Sequence, residues 1–308
     1  MKVCFIGSGS IGQRHIQNWI KICDAHNTTC EIHLLRATSC LLSTNIKCFV
    51  HKEIRELQDL DTYYDAIFVT NPTYLHYTTL EKLKHYSKCF FVEKPVFENY
   101  NYNLEDLKLP EGNKYYVACP LRYTQVIEYA KALLRSEEIY SIRAISSSYL
   151  PDWRTNADYR NSYSAHKDQG GGVRIDLIHE WDYITYLFGF PKTVKLFYGK
   201  YSNLEIDSED IAIYIAEYSD KLCEIHLDYL GRQPERKLEL RTKDATYCID
   251  ILNASITKNG SFVCKYDEQP NDKYMMEMTN FWKIAFEDGE NTNTLEHALD
   301  VLKLAMNP

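Results

Sequence analysis

Six residues near the N-terminus, Gly7-Ser8-Gly9-Ser10-Ile11-Gly12, restrict the fold more than any other stretch of the chain. They follow an apolar run, Val3–Ile6, and open a segment, Ile11–Ile22, whose apolar residues recur at helical spacing. A Gly-x-Gly-x-x-Gly at a strand-to-helix junction gives a tight turn, close approach of backbone to a pyrophosphate, and close helix–strand packing. The free N–H groups and positive dipole end at the start of the helix then favour an anion. Gly7, Gly9, Ser10, Ile11 and Gly12 are therefore the expected contacts of a dinucleotide.

The rest of the first half supports such a unit. Ile32–Leu35, Ala66–Thr70, Cys89–Val92 and Tyr115–Ala118 are short apolar runs, and Tyr74–His85 reads as a helix between two of them. Strands alternating with helices imply βαβ units and a mostly parallel sheet. Residues 1–120 are thus expected to form an α/β Rossmann-like domain. Beyond residue 122 the rhythm changes. A helix over Tyr123–Leu134 and a strand near Ile142–Tyr149 precede a long polar, aromatic loop and a helix over Val173–Phe188. Val194–Tyr201, Ile211–Tyr218, Leu222–Leu230, Lys237–Arg241 and Ala245–Ile251 then follow with no room for helices, before two closing helices, Tyr274–Phe286 and Leu295–Met306. Residues 121–308 are expected to form an α+β domain with a large open, mainly antiparallel sheet.

The carboxyl ends of parallel strands face the ligand crevice, so the turns there carry the chemistry. The second strand ends in Arg36-Ala37-Thr38-Ser39 rather than in an acidic residue. Arg36 there suits a 2′-phosphate, with Thr38 and Ser39 adding hydroxyl donors, so NADP(H) is favoured over NAD(H). The alternative is Arg36 stacked on adenine with no phosphate preference. Asn71-Pro72 and, in the following helix, His76 border the cofactor; a packing role for His76 stays open. Glu93-Lys94-Pro95 follows the next strand, where a partly desolvated lysine can hold a substrate hydroxyl or carbonyl and assist its proton.

Composition excludes other classes. The 308 residues carry 35 basic and 43 acidic side chains, a net charge of −8, which argues against nucleic acid or an anionic membrane as partner. No apolar run approaches the roughly 18 residues that span a bilayer. Met1 runs directly into a strand-like segment, so no secretory leader is expected. The ten cysteines include no Cys-x-x-Cys pair, and we read them as reduced thiols of a cytoplasmic protein with no metal site.

In order along the chain, the Gly7/Gly9/Gly12 fingerprint, Asn71-Pro72…His76, Glu93-Lys94-Pro95, Leu121-Arg122-Tyr123 and Gly170-Gly171-Gly172-Val173-Arg174-Ile175-Asp176 with His179 and Asp182 form a recognisable set. With Phe281…Leu295-Glu296-His297-Ala298-Leu299-Asp300-Val301 at the end, it resembles the Gfo/Idh/MocA oxidoreductases, named for glucose–fructose oxidoreductase and inositol dehydrogenase. The resemblance implies that Lys94 contacts substrate, that Asp176 and His179 form the polar site, and that His179 is the acid/base, with Lys94, His179 and Asp176 catalytic. Asp176 and His179 at i, i+3 would share a helix face, and Asp182, a further three residues on, could orient the same imidazole. The commoner family spacing is four. The spacing of three, with Glu180 next, resembles a branch tied to bacterial surface-sugar biosynthesis and leaves Glu180 competing for the place of Asp176.

The loop Leu150–Tyr163 suggests a carbohydrate surface, because sugars are held by aromatic faces and bidentate polar groups. Arg122, Trp153, Arg154 and Tyr159 join Lys94, Asp176 and His179 as expected substrate contacts, with an ordinary tyrosine-rich or interface loop as the alternative. The first functional reading is an enzyme passing a hydride between nicotinamide and a carbinol or keto carbon of a sugar, cyclitol or nucleotide-sugar. A non-catalytic regulator that senses dinucleotide or sugar on the same fold is the second, and a cofactor-dependent elimination the third. An open apolar sheet face predicts a homodimer or homotetramer through the C-terminal sheet.

Overall fold

A computed structural model describes residues 1–37, 42, 44–60, 62–154 and 157–307. The first part of the chain runs β1 (Lys2–Ile6), α1 (Ser10–Ala25), β2 (Glu31–Leu35), α2 (Thr44–Lys47), β3 (Val50–Ile54), β4 (Ala66–Val69), α3 (His76–Leu83), β5 (Cys89–Val92) and β6 (Lys114–Val117). It continues through α4 (Gln125–Leu133), β7 (Ile139–Ser147), α5 (Val173–Asp176), α6 (His179–Phe188), β8 (Thr193–Gly199), β9 (Ile211–Glu217) and β10 (Leu222–Asp228). β11 (Glu235–Thr242), β12 (Thr246–Asp250), β13 (Ser255–Lys258), β14 (Ser261–Lys265), α7 (Asp272–Phe286) and α8 (Leu295–Met306) close it. Met1–Pro120 with Asn271–Asp300 form one compact unit, and Leu121–Pro270 with Val301–Pro308 a second.

In the first unit six parallel strands lie in the order β3-β2-β1-β4-β5-β6, the doubly wound arrangement expected. β4 (Ala-Ile-Phe-Val) and β5 (Cys-Phe-Phe-Val) are buried at every position, as strands covered on both faces must be. β3, with the sequence Val-His-Lys-Glu-Ile, has no such run; it is the exposed edge, and hydrophobicity alone does not mark it. The unit also takes residues 271–300, which the sequence reading placed with the second half. The reason is aromatic: Trp19 of α1 lies 4.9 Å from Phe68 of β4, and Phe281 of α7 packs 5.4 Å from Phe68 and 5.3 Å from Phe91 (ring centroids). α7 thereby covers part of a sheet face that would otherwise meet water.

The second unit is built on eight strands ordered β14-β13-β12-β11-β7-β10-β9-β8, antiparallel except for the β7–β10 pair. Opposed residues Leu196, Tyr214, Ile225, Ala144 and Leu238 form one row of its inner face. α6 supplies Trp181, fully buried with its ring edge 5.2 Å from Tyr214. The single helix expected over Val173–Phe188 is in fact two. Leu177 leaves helical geometry (φ −100, ψ 26), Ile178 N donates to Ile175 O, and Glu180 N donates to Leu177 O. These three-residue bonds tighten the chain between α5 and α6, so Asp176 ends one helix and His179 begins the next. Among the described residues no helix is long and apolar enough to cross a membrane.

Trp19 is fully buried among Phe68, Phe281, Trp282 and Phe286. Trp19→Ala should therefore destabilise the first unit by about 3–5 kcal/mol. Urea titration followed by circular dichroism reads this directly.

Candidate active site

The glycine loop of the first unit is shaped by contact distances. A Cβ on Gly12 would stand 2.8 Å from Gly7 O and 2.8 Å from Thr70 Oγ1, so only hydrogen lets α1 come this close to the sheet. Thr70 Oγ1 donates to Ile6 O (3.0 Å) and Gly7 O (3.1 Å), and Gly7, at φ +99, packs on Asn71. Gly9 is different: a Cβ there would meet nothing within 4 Å. Gly9 is also the N-cap of α1, no side chain caps it, and the first turn holds no acidic residue. The first N–H groups of α1 at Ser10, Ile11 and Gly12 therefore suit a pyrophosphate, which fits this loop as a nicotinamide dinucleotide would present it.

Arg36 follows β2 but is buried, and its Nε and Nη2 donate to Glu53 Oε2 of β3 at 3.3 and 3.2 Å. Arg55 Nη2 reaches the same oxygen at 2.9 Å. A 2′-phosphate would have to draw Arg36 from that carboxylate. Thr38 and Ser39 lie outside the described residues.

The turns after β4 and β5 are tied together. Asn71 Nδ2 donates to Thr79 Oγ1 (2.9 Å), and the fully buried His76 sets its ring nitrogens 3.0 Å from Asn71 O and 3.1 Å from Val96 O. Burial holds the His76 imidazole below its ordinary pKa, against the pull of those carbonyls, which favours an anchoring role. Glu93 Oε2 accepts from Lys94 N (3.1 Å), and Glu93 Oε1 meets His15 Nε2 at 2.5 Å. Burial alone would raise the Glu93 pKa; the His15 hydrogen bond and the nearby Lys94 outweigh it and hold the carboxyl below its usual value. Pro72 precedes a single turn at Thr73–Leu75, and the Lys94–Pro95 peptide is cis.

In the second unit Asp176 is the centre. Its Oδ2 accepts from Tyr229 Oη at 2.5 Å, and its charge is also felt by Tyr163. Burial first, and the Asp176 charge second, push both phenols above their ordinary pKa, so Tyr229 stays a protonated donor to the carboxylate. Tyr229 is placed by the end of β10. There Asp228 Oδ1 accepts from Ser147 Oγ (2.7 Å), Leu230 N (2.7 Å) and Gly231 N (3.1 Å), turning the chain. Gly171 admits no side chain, because a Cβ would lie 2.2 Å from Tyr163 O and 2.6 Å from Ser164 O. Trp153, Arg154 and Tyr159 line one cavity of about 240 Å³ together with Ser162 and Tyr163. Trp153 Nε1 donates to Ser148 Oγ (2.8 Å), and its ring stands edge-on to Tyr229 at 5.3 Å.

Three expectations change. Arg122 is 2% exposed, and its Nε and Nη2 donate to Asp182 at 3.0 and 2.6 Å. It is a buried fork-to-fork ion pair holding α6, in a place where a substrate would have to displace a carboxylate. Asp182 is committed to that pair. Asp176 and His179 belong to different helices, α5 and α6, so a shared helical face does not unite them. Glu180, fully buried, sets Oε1 2.7 Å from Arg236 Nε.

Sequence reasoning passed over His15 and Tyr229. His15 sits four residues from both Ile11 and Trp19, a polar residue on the apolar stripe of α1, which is the signal that could have found it. Tyr229 ends a strand whose alternation alone says only that it points inward.

Comparison with known proteins comes from both halves. Residues 1–109 match the Gfo/Idh/MocA oxidoreductase family with its NAD-binding Rossmann fold, and residues 127–247 match a Gfo/Idh/MocA C-terminal domain. The uncharacterized oxidoreductase YrbE of Bacillus subtilis (strain 168) is 26% identical over 192 residues, 61% of this chain and 54% of that protein, so the match spans about half the relative's length. A levoglucosan dehydrogenase in complex with NADH and levoglucosan superposes with a TM-score of 0.82 at 15% identity, over 99% of this chain and 95% of that one. The WlbA dehydrogenase of Bordetella pertussis, in complex with NADH and UDP-GlcNAcA, gives a TM-score of 0.77 at 15% identity over 99% and 93%. At such identities the structures share the fold.

The two glycines should separate binding from folding. Gly9→Ala leaves the unfolding midpoint unchanged but weakens NADH at least tenfold, about 1.4 kcal/mol, by calorimetric titration. Gly12→Ala instead loses about 1–3 kcal/mol of stability, because the added methyl has no room.

Proposed function

The chain belongs to the Gfo/Idh/MocA oxidoreductase family and is a nicotinamide-dependent dehydrogenase or reductase; on that premise we propose a sugar-like substrate. The reading is a carbinol or keto carbon of a sugar, cyclitol or nucleotide-sugar as hydride donor or acceptor. Its main support is the cavity lined by Trp153, Arg154 and Tyr159, whose Trp153 ring stands edge-on to Tyr229, the donor to the Asp176 carboxylate. An aromatic face, a guanidinium and buried hydroxyls beside a fixed carboxylate are what a polyol ring requires. The structures of similar fold bound to levoglucosan and to UDP-GlcNAcA point the same way.

Hydride exchange is the chemistry the dinucleotide supplies when bound. The chain's own groups handle the proton. His179, at the start of α6, is the acid/base for the substrate hydroxyl, and Lys94 holds that oxygen and lowers the cost of its charge. Asp176, held by the Tyr229 phenol, accepts from substrate hydroxyls or orients the base. In this reading NADP(H) is the favoured form, with Arg36 its reader once released from Glu53. A cytoplasmic setting goes with it.

Assembly is proposed through the second unit's open sheet face. Phe197, Ile213, His226, Ile145 and Lys237 oppose one another across five strands on the side away from α6, and Phe197 is 68% exposed. A homodimer or homotetramer would cover that row.

Titration with NADPH and NADH tests the cofactor. Glu53→Gln should tighten NADPH about tenfold, or 1.4 kcal/mol, and leave NADH unchanged; equal effects on both would sink Arg36 as a phosphate reader. A screen of aldoses, cyclitols and nucleotide-sugars for reduction of NADP⁺ or NAD⁺ should find turnover that His179→Ala or Lys94→Ala lowers by about a hundredfold or more. Binding without turnover of any of them would favour the regulator. Ile213→Glu should convert the oligomer to monomer by light scattering.

A further inference from the structure

We propose that His15 is a positioning residue for Lys94, acting through Glu93. The proposal rests on the reading above only in giving Lys94 a task; its geometry stands alone. Lys94 is the second residue beyond β5, in a turn where nothing helical fixes its backbone. Glu93 fixes it instead. The Glu93 backbone N–H donates to Val69 O (2.9 Å), and its side chain doubles back so that Oε2 accepts from Lys94 N (3.1 Å). What keeps the side chain doubled back is the other oxygen, 2.5 Å from His15 Nε2.

His15 is an expensive way to fill its place. It is fully buried on the apolar stripe of α1, wedged edge-on against Phe91 at 4.8 Å and Tyr274 at 6.3 Å. Its Nδ1 is buried and, among the described residues, has no hydrogen-bond partner. An unsatisfied buried ring nitrogen carries a desolvation cost that a leucine would avoid. A leucine would, however, leave the Glu93 carboxylate buried with one donor fewer. The charged and titratable groups around that carboxylate are His15, Lys94, His76 and Tyr274, and of these only His15 is bonded to Oε1. With His15 gone, Glu93 is free to turn from the Lys94 backbone to the Lys94 ammonium. The same helix that opens at the glycine loop thus also sets the direction of the lysine.

The test is chemical reactivity of Lys94 in the full chain. Limiting acetic anhydride at about pH 8 acetylates lysines in proportion to their free-amine fraction and access, and peptide mass spectrometry reads each one. Relative to the exposed Lys82 and Lys195, Lys94 labelling should fall about threefold or more in His15→Leu, because a freed carboxylate holds the ammonium protonated. His15→Gln carries an N–H at the reach of Nε2 and should restore the wild-type ratio. His15→Asn, a methylene short, should behave like His15→Leu and decides the matter if the leucine variant does not fold. Unchanged Lys94 labelling in the Asn and Leu variants, or a folded Gln variant that does not restore it, would overturn the proposal. Wild-type protein that binds neither NADH nor NADPH would count against the oxidoreductase reading and leave this comparison untouched.

Discussion

The first unit is organised by the near-contact of α1 with the sheet at Gly12. A Cβ there would collide at 2.8 Å with two oxygens, so the helix can approach β1 and β4 only because the side chain is missing. That approach brings Thr70 Oγ1 onto the carbonyls of Ile6 and Gly7 and aligns an uncapped helix start with the open side of the Gly9 turn. It also fixes everything further along the helix. His15 comes to lie on Glu93, and Trp19 falls among the rings of Phe68 and α7. The glycine turn, the Glu93-Lys94 turn and the aromatic core are thus met by successive turns of one helix, and a shift of α1 would disturb all three.

In the second unit the comparable element is a carboxylate. Asp176 is buried, yet the Tyr229 phenol keeps it a satisfied acceptor, and that phenol is placed by the Asp228 turn. Next to it α6 carries two further buried acids, each matched to its own arginine: Asp182 to Arg122 and Glu180 to Arg236. Three acids within seven residues therefore have three separate partners, which keeps their roles from blurring.

Much of this was legible in the sequence because it rests on local chemistry. The Gly-x-Gly-x-x-Gly, the all-apolar β4 and β5, and the alternation of β9 and β10 each follow from rules that operate within a few residues. β3, β13 and β14 were not, since short strands at a sheet's edge are held by neighbours rather than by their own composition. The side-chain pairings were least accessible. Nothing near Arg36 in sequence announces Glu53, and nothing near Arg122 announces Asp182, so both arginines read as ligand groups until the register of β2 on β3 and the path of α6 are known. The break at Leu177 belongs to the same class: Val173–Phe188 has helical periodicity throughout, and only tertiary packing decides that one turn tightens.

The interleaved connectivity has a consequence for how the protein must be made. The first unit needs α7 to cover Phe68 and Phe91, and β7 pairs with β10 and β11, strands that begin some eighty residues later. Neither unit can close while the chain is half synthesised. During translation the apolar rows of β4, β5 and β7 must wait for partners that have not yet emerged, so this is a protein whose demand on chaperones falls early and lifts only as its last helices leave the ribosome.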